Sequence, residues 1–216
     1  MNILVTGASR GIGRAIAEAL KDVHKVFVMA RTEELLQGFS GCCVADLATI
    51  EGMEKVGQFI QENKIDVLIN NAGEYLYTPI LKGSSFDKLE HILKLNLEAP
   101  LYLSSVAVQN MKIKGFGRII NIGSISGVMG EANASLYSAT KSALLGATKA
   151  LALELAEYGI TVNTINPGWV DTDLGNSSCN DSEFTKEEVL EAIPQRRFVA
   201  PTEIAGMVKY LISEDA

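Results

Sequence analysis

The chain has 216 residues, of which 47% are apolar, and it carries a formal net charge of −7 with an isoelectric point of about 5.0. This length and apolar content are enough for one domain with a large buried core. The negative charge argues against a surface for nucleic acid or anionic membranes and, less strongly, against an acidic protein partner. No apolar run approaches the length of a membrane span, and a strand-like segment from Asn2 leaves no room for a signal peptide.

The cysteines and histidines give no indication of a metal centre. Cys42, Cys43 and Cys179 lack the spacing of metal ligands, and their odd number predicts reduced thiols in a cytoplasm. His24 and His91 fall in polar helical contexts away from any candidate site, and we interpret both as solvated bystanders. We therefore expect a cytoplasmic protein that holds no metal ion.

The first strand-like segment, Asn2–Thr6, runs directly into a glycine-rich turn and then into a helical pattern over Arg14–Lys21. This order of strand, glycine turn and helix is typical of dinucleotide-binding sites, where a pyrophosphate lies at the helix N-terminus. Gly7 permits the tight turn, and Gly11 and Gly13 let the backbone and the helix come close to the phosphates. Glycine turns between strand and helix also occur elsewhere, so the turn alone is only moderately specific.

Arg31 follows the second predicted strand, Lys25–Ala30. In a dinucleotide-binding fold this position reads the adenosine ribose: an acidic residue suits a free 2′-hydroxyl, and an arginine suits a 2′-phosphate. Arg31, with Arg10 of the glycine turn as a second cation, therefore favours NADP(H); an exposed loop arginine is the alternative. We interpret Glu33 and Glu34 as the exposed first turn of a short helix.

The alternation of strands and helices continues through the first half of the chain. Cys42–Ala45 is predicted as the third strand, Ile50–Glu62 as an amphipathic helix, and the apolar segment Asp66–Ile69 as a buried parallel strand. This fourth strand ends in N-N-A-G over Asn70–Gly73. The two asparagines can satisfy backbone groups of a widening sheet, and the glycine allows close approach to a ligand.

The second half of the chain repeats the pattern. A long helix is predicted over Phe86–Met111, with Asn96 inside its apolar face either as a satisfied core amide or as a site residue. Gly159–Asn166 is predicted as the sixth strand and Pro201–Ile212 as the last helix. The polar stretch Gly175–Ser182 has the composition of a mobile loop that could cover a site. The whole pattern predicts an α/β fold, a doubly wound parallel sheet in a single domain.

The segment between the long helix and the sixth strand carries three reactive side chains. Arg118–Ile122 is predicted as a buried fifth strand ending next to Ser124, and a helix then opens with Ser135 as its N-cap. Tyr137 and Lys141 lie one turn apart on the same face of that helix. A hydroxyl, a phenol and an ammonium group thus meet at the carboxyl end of the sheet, where open α/β folds bind ligands.

Such a trio is suited to proton transfer with an alcohol or carbonyl oxygen. A positive charge about 4 Å from a phenol, at an effective dielectric constant near 20, is worth roughly 4 kcal/mol, or about three pKa units. We therefore predict that Lys141 lowers the pKa of Tyr137 towards neutrality, while Ser124 donates a hydrogen bond to the substrate oxygen. For the tyrosine and lysine alone, an ordinary surface pair is the preferred interpretation.

Taken together, these segments resemble the short-chain dehydrogenase/reductase family over essentially the whole chain. The matching residues are T-G-A-S-R-G-I-G at 6–13, Asp46-Leu47, N-N-A-G at 70–73, Asn96, Ser124, Tyr137-x3-Lys141 and N-P-G at 166–168. The resemblance implies that Tyr137 is the general acid/base and that Ser124 orients the substrate oxygen. It also implies that Lys141 holds the nicotinamide ribose and that Asn96 places a water in a proton relay.

The same resemblance implies a set of NADP(H) contacts around the carboxyl ends of the strands. These are Gly7, Ser9, Arg10, Ile12, Arg31, Asp46, Leu47, Asn70, Ala72, Gly73, Tyr137, Lys141, Pro167, Gly168, Val170 and Thr172.

Within the family, the chain looks most like 3-oxoacyl-carrier-protein reductases and related carbonyl reductases, on the segments I-N-I-G-S-I-S-G and R-R-F-V-A-P-T-E-I-A. This implies an NADPH-dependent reductase of a ketone, with 3-oxoacyl thioesters or small carbonyl compounds as substrates. Two alternatives stay open. One is an NADP-dependent alcohol dehydrogenase working in the oxidative direction, and the other is a non-catalytic NADP(H)-binding regulator.

Three departures from the family pattern bear on these expectations. Few residues separate Arg31 from Cys42, so the helix usual there is expected to be a single turn. Tyr158 stands where some carrier-protein reductases have an arginine, which, with the net charge of −7, weakens a carrier-protein substrate. The sequence stops after S-E-D-A, where family members continue with a last strand.

That last departure leads to an expectation about assembly. Without a further strand, Gly159–Ile165 is expected at the sheet edge with unpaired backbone groups, and stability is expected to be lower than with that strand. We expect a homodimer, not a tetramer, through the helices near 86–111 and 136–158. Small residues suit close packing of the second helix across a two-fold axis: Ala139, Ala143, Gly146, Ala147 and Ala150.

Overall fold

The computed structural model describes residues 1–83, 85–181 and 185–216, without the side chains of residues 178–181, and in this part of the chain six parallel strands form one sheet. Its order is β3-β2-β1-β4-β5-β6. The strands are β1 Asn2–Thr6, β2 Lys25–Ala30, β3 Gly41–Val44, β4 Val67–Asn70, β5 Gly117–Ile122 and β6 Ile160–Ile165. The strand order reverses beside β1, which pairs with both β2 and β4. The predicted doubly wound α/β fold is confirmed.

Helices cover both faces of the sheet. They are α1 Gly11–Leu20, α2 Ile50–Glu62, α3 Phe86–Leu93, α4 Ala99–Lys114, α5 Ser126–Met129, α6 Ser135–Leu155, α7 Asp173–Asp181, α8 Lys186–Ala192 and α9 Pro201–Leu211. Helices α1 and α9 pack on one face, and α2, α4 and α6 pack on the other. In the described part of the chain, no helix has both the length and the apolarity needed to span a bilayer.

The two-residue period of the strands divides the core between the faces. In β1, Ile3 and Val5 pack in the cluster with α1 and α9, while Leu4 packs in the cluster with α2 and α4. The inner strands β4 and β5 are buried along their whole length, as expected for parallel strands covered on both sides. Each fully buried Ile or Leu side chain is worth about 1.5–3 kcal/mol relative to its exposed state. This core holds the carboxyl ends of the strands in fixed positions.

Several helix boundaries differ from the sequence prediction. Helix α1 begins at Gly11 and not at Arg14, because the left-handed Gly11, with φ +57, starts the helix directly after the turn. Ser135 is the first residue of α6 and not its N-cap; Ala134 takes that position. The predicted helix over residues 86–111 consists of α3 and α4 joined by the π-turn Lys94–Glu98.

Two predictions about connecting segments are wrong. The expected single-turn helix at Glu33 and Glu34 is absent, and residues 31–40 form turns instead. Within residues 33–37, only the side chain of Leu36 is buried, so a helix there would have little apolar surface to pack. The stretch predicted as a mobile loop from Gly175 lies largely in helix α7, whose start is capped by Thr172: its Oγ1 accepts from the Gly175 N–H at 3.1 Å. Ser182, the end of that predicted loop, lies outside the described residues.

Candidate active site

The loops that follow β1 and β4 meet where the strand order reverses. Thr6 Oγ1 accepts hydrogen bonds from the backbone N–H groups of Asn71 and Ala72, both at 3.0 Å. In the opposite direction, Asn71 Nδ2 donates to the carbonyl oxygens of Thr6 at 2.9 Å and Gly7 at 3.1 Å. The second asparagine of N-N-A-G therefore ties the two loops together. Open α/β sheets bind ligands in the crevice at such a reversal point.

The glycines of the first turn are required by close contacts within the protein. Gly7 has φ +65, and a Cβ there would lie 2.8 Å from Ala72 Cα. A Cβ on Gly13 would lie 2.4 Å from both Asn71 Nδ2 and the Gly7 carbonyl oxygen. Only glycine therefore lets α1 start this close to the loop after β4. The resulting approach leaves the first turn of α1, with its backbone N–H groups, at the crevice.

Two cations flank the glycine turn. Arg10, at the N-cap of α1, is exposed and pairs with Asp173 of α7 at 3.4 Å, with side-chain exposures of 68% and 76%. Such an exposed pair is weak and can exchange partners easily. Arg31 is exposed directly after β2, on the same edge of the sheet.

Besides Lys141, three of the predicted cofactor residues have side chains buried inside the protein. Leu47 is 2% exposed and packs in the core with α2, and Val170 is 6% exposed beside Val199. Asn70 Nδ2 donates to Asn121 Oδ1 at 2.8 Å, within a polar cluster between β4 and β5. The side chains of these three residues therefore face the protein interior. Any contact that they make with a ligand in the crevice would come from their backbone groups.

The other predicted cofactor residues frame the crevice from the loops. Asp46 Oδ1 accepts from the Ala48 N–H at 2.9 Å, which holds the turn after β3. The Pro167 carbonyl oxygen accepts from the Ile125 N–H at 2.8 Å and so joins the loop after β6 to the one after β5. Thr172 reaches the glycine turn, because its Cγ2 would be 3.2 Å from a Cβ on Gly11. Ser9 and Ile12 are partly buried in the turn and first helix, and Gly168 is exposed.

The four predicted catalytic residues lie together at the carboxyl ends of β4 and β5. Ser124, 8% exposed, follows β5, and α6 brings Tyr137 and Lys141 to it. A Cβ on Gly73 would lie 3.2 Å from Asn96 Oδ1 and 3.5 Å from Lys141 Nζ, so the N-N-A-G loop closes against them. A Cβ at this position would be slightly too close to the Asn96 amide and in ordinary contact with the Lys141 ammonium group, so the loop backbone passes directly beside both side chains.

Asn96 is held by the loop after β4. Its Oδ1 accepts from the Glu74 N–H at 3.0 Å, and its Nδ2 donates to the Glu74 carbonyl at 2.9 Å and to Thr140 Oγ1 at 3.4 Å. It lies in the π-turn, a distortion that often accompanies functional sites. Oδ1 keeps a second acceptor position beside its bond from the Glu74 N–H, so the placement of a relay water by Asn96 stays a prediction. His91, predicted as a bystander, lies with its Nε2 3.1 Å from Glu74 Oε2.

Lys141 is buried, and its ammonium group points to the strand. Nζ donates to the Ile122 carbonyl oxygen at 2.9 Å and lies 5.8 Å from the centre of the Tyr137 ring. Burial lowers the pKa of Lys141 to about 8. The Lys141 ammonium group therefore gives up its proton more easily than that of an exposed lysine, and it is hydrogen-bonded to a backbone carbonyl oxygen.

The pKa of Tyr137 is raised above its ordinary value, and the predicted lowering by Lys141 is wrong. Burial is the main cause of the increase, and the negative charge of Glu131 adds to it, while a hydrogen bond with Ser124 acts in the opposite direction. The physical reason is that burial disfavours the charged phenolate and that the Glu131 carboxylate, a nearby like charge, disfavours it further.

A chain of hydroxyl groups connects Ser124 to that carboxylate. Ser124 Oγ donates to Ser126 Oγ at 3.1 Å, and Ser126 Oγ donates to Glu131 Oε2 at 2.6 Å. Tyr75 donates from its hydroxyl to Glu131 Oε1 at 2.9 Å, and its ring meets the Tyr137 ring edge to face at 5.1 Å. The sequence prediction missed Tyr75, Ser126 and Glu131. For Ser126 and Glu131, the sequence offered only their polar character and their position between Ser124 and Tyr137.

A parallel sheet with a glycine turn at its reversal point, and a serine, a tyrosine and a buried lysine together at its carboxyl edge, are typical of the class of dinucleotide-dependent oxidoreductases. Residues 1–183 match the family described as short chain dehydrogenase, and the chain belongs to this family of NAD(P)-dependent enzymes. In the part of the chain that the structure describes, no group of three His, Cys, Asp or Glu side chains is placed to hold a metal ion.

Named relatives and solved structures cover nearly the whole chain. The 3-oxoacyl-[acyl-carrier-protein] reductase FabG of Vibrio harveyi is 37% identical over 99% of this chain and 90% of its own. The reductase MabA of Mycobacterium bovis is 34% identical over 100% and 86%. A Beutenbergia cavernae structure titled as an NAD(P) dependent gluconate 5-dehydrogenase, with NADP bound at low occupancy, has a TM-score of 0.92 at 34% identity, covering 100% and 90%. An actinorhodin polyketide ketoreductase variant with NADPH has a TM-score of 0.91 at 33% identity, covering 99% and 90%.

Proposed function

We propose that this protein is an NADPH-dependent reductase that converts a ketone to a secondary alcohol, with a 3-oxoacyl thioester or a small carbonyl compound as substrate. The observation that carries the proposal is the meeting of Ser124, Tyr137 and Lys141 beside the glycine turn. The names of the FabG and MabA relatives, and the NADPH-bound ketoreductase, support the reaction type.

The residues at the crevice fit NADP(H). Gly7 and Gly13 stand where a Cβ would clash, so the backbone can approach a pyrophosphate at the start of α1. Arg31 and Arg10 are exposed cations at the edge where a 2′-phosphate would lie. When bound, the cofactor would supply the hydride.

The chain's own groups would handle the proton and the carbonyl oxygen. Tyr137, with its raised pKa, is protonated at neutral pH and would donate the phenolic proton to the oxygen that the hydride transfer makes basic. Ser124 would turn its hydroxyl from Ser126 to the same oxygen. Lys141 would hold the ribose, and Asn96 would keep the N-N-A-G loop in place. The protonated phenol is the form that the reductive step requires, whereas the oxidative step requires the phenolate.

The test is NADPH consumption, followed by absorbance, against a panel of ketones and 3-oxoacyl thioesters, with wild type and Tyr137→Phe side by side. We expect turnover in the wild type and loss of about 10³-fold or more in kcat in the variant, since only the transferable proton is removed. NADPH binding, measured by fluorescence titration, is expected to persist in the variant.

Two other outcomes of this assay would favour the alternatives. Turnover seen only with alcohols and NADP would favour an oxidative dehydrogenase. Cofactor binding without turnover of any substrate would favour a non-catalytic regulator.

We further propose a homodimer through the helices near 86–111 and 136–158, with residues 1–216 as one domain. Supporting features are four exposed small residues in one stripe of α6 (Ala139, Ala143, Gly146 and Ala150) and two strongly exposed apolar residues, Ile113 at 88% on α4 and Leu153 at 85% on α6. The cytoplasmic location expected from the cysteines stays a prediction, which cell fractionation can test.

A further inference from the structure

Glu131 places a carboxylate at the site without a cation to balance it. It lies between α5 and α6 and is partly buried. Its two hydrogen-bond donors are neutral hydroxyl groups, from Ser126 at 2.6 Å and Tyr75 at 2.9 Å. Among the residues that the structure describes, no ion pair includes Glu131. In the described part of the chain, the side-chain donors that bind the Glu131 carboxylate are therefore neutral hydroxyl groups.

This carboxylate keeps capacity to accept further hydrogen bonds. An ionised carboxylate has two oxygens with about four acceptor positions in total. The side chains of Ser126 and Tyr75 each take one of them, on different oxygens. The remaining positions can take donors from a molecule that enters the site.

Glu131 is also close to the place where a carbonyl would react. Only the hydroxyl group of Ser126 separates its carboxylate from Ser124 Oγ. On its other oxygen it holds Tyr75, whose ring packs against the ring of Tyr137 at 5.1 Å. A ketone whose oxygen lies between Ser124 and Tyr137 would have Glu131 within reach of a substituent on the side of Ser126 and Tyr75.

From this arrangement we propose that Glu131 makes the site selective for ketones that carry a hydrogen-bond donor, a hydroxyl or an ammonium group, near the carbonyl. The same charge acts against ketones that carry a carboxylate there. A donor on the substrate would form a hydrogen bond with a remaining acceptor position of Glu131. A substrate carboxylate would instead be repelled by the charge of Glu131, which is partly shielded from water. This inference rests on the proposed ketone reduction and narrows its substrates to small carbonyl compounds, because a 3-oxoacyl thioester has no hydroxyl or ammonium donor beside its ketone.

The test uses four methyl ketones of nearly equal size. They are pentan-2-one, its two analogues with a terminal hydroxyl or ammonium group in place of the last methyl, and acetoacetate. In the wild type we expect kcat/KM for both donor-bearing ketones to exceed that for pentan-2-one by about 10-fold or more. Acetoacetate is expected to fall below pentan-2-one by about 10-fold.

Glu131→Gln separates charge from hydrogen bonding. The glutamine oxygen still accepts, so the preference for the hydroxyl ketone is expected to persist in part, while the preference for the ammonium ketone falls by about 10-fold and acetoacetate improves. Glu131→Ala is expected to remove both preferences. Glu54→Gln on the exposed side of α2 is the matched control, and its ratios are expected to equal those of the wild type.

Tyr75→Phe tests the same inference without changing Glu131, and it is needed if the Glu131 variants do not fold. It removes one donor from Glu131 and keeps the ring against Tyr137, so the preference for donor-bearing ketones is expected to rise. Turnover with the same substrate ratios in the wild type, Glu131→Gln and Tyr75→Phe would overturn the inference and leave the reductase proposal intact. A wild type that reduces no ketone with NADPH would overturn both.

Discussion

The ammonium group of Lys141 is buried, and burial of its positive charge lowers the stability of the folded protein. Lys141 is 6% exposed, and burial lowers its pKa from the ordinary value of 10.5 to about 8. The corresponding free-energy difference is roughly 3 kcal/mol, so the protein is less stable whenever this lysine has to carry its proton. A buried lysine of this kind is retained for what it does in the site, since a hydrophobic residue would fold better.

This burial predicts a pH dependence of stability. A lysine whose folded-state pKa is depressed releases its proton first in the folded protein, so the unfolded state binds more protons between pH 8 and pH 10.5. The free energy of unfolding is therefore expected to rise with pH from about 8. Above about pH 10 the raised pKa of Tyr137 acts in the opposite direction, because the folded state then holds the extra proton.

Urea denaturation between pH 8 and pH 10 checks this prediction. Lys141→Met is expected to lose most of the increase, while Lys149→Met, at an exposed lysine of the same helix, should keep it. An equal slope in Lys141→Met and the wild type would show that another group is responsible.

Arg31 and Arg10 differ in how free they are to bind a phosphate. Arg10 shares its charge with Asp173 at 3.4 Å, whereas no ion pair within the described ranges includes Arg31. We therefore predict that Arg31→Asp lowers the ratio of kcat/KM for NADPH over NADH by about 100-fold or more, because an anion replaces the phosphate-binding cation. Steady-state kinetics with both cofactors measures the ratio, and an unchanged value would assign the phosphate to Arg10 or to neither arginine.

At the scale of secondary-structure elements, the contact between α5 and α6 positions the catalytic helix. A Cβ on Gly127 would lie 2.7 Å from the backbone carbon of Lys141 and 2.8 Å from its Cβ. Ser142 Oγ donates to the Gly127 carbonyl at 2.7 Å and holds the two helices at this distance. The glycine is thus required by the approach of two backbones.

We predict that Gly127→Ala lowers the free energy of unfolding by about 1–3 kcal/mol and lowers kcat by about 10-fold or more, since α6 must shift and carry Tyr137 and Lys141 with it. Gly206→Ala in α9 is the control: a Cβ there meets nothing within 4 Å, and a gain of about 0.5–1 kcal/mol is expected for an exposed helical position. Thermal and urea unfolding, together with the ketone assay, measure both effects. Wild-type activity in Gly127→Ala would contradict this account of the helix contact.

At the scale of the whole molecule, the sheet has β3 and β6 at its edges. The strand β6 carries the sequence I-T-V-N-T-I, which contains neither a charge nor a proline to discourage pairing with another chain. In contrast, the exposed stripe of small residues on α6 offers a flat surface for a two-fold contact.

Light scattering is expected to give a dimer for the 216-residue chain. Ala143→Glu places a charge in the small-residue stripe of α6, and it is expected to weaken the dimer by about 10-fold or more in Kd. Lys55→Glu on the exposed side of α2 should leave the dimer unchanged. A stable tetramer, or a dimer indifferent to Ala143→Glu, would contradict the proposed interface.

The sequence by itself determined the features that depend on local order along the chain. Short apolar or β-branched runs located the six strands of the described residues to within a residue or so at each end. For the inner strands β4 and β5 the reason is burial on both faces, which requires apolar residues along their length. The helical spacing of Tyr137 and Lys141 determined that they share a face, and the position of Ser124 after β5 brought it to the same edge. These relations need only the periods of helix and strand.

The tertiary structure alone decided which groups face one another across the chain. Tyr75 and Glu131 are 56 residues apart, and no local pattern indicates that a hydroxyl of one loop binds a carboxylate of another. The direction of Lys141 towards the Ile122 carbonyl, and the burial that raises the pKa of Tyr137, likewise depend on packing between α6 and β5. Electrostatics depends on distance in space and on exclusion of water, and both are set only when the elements pack.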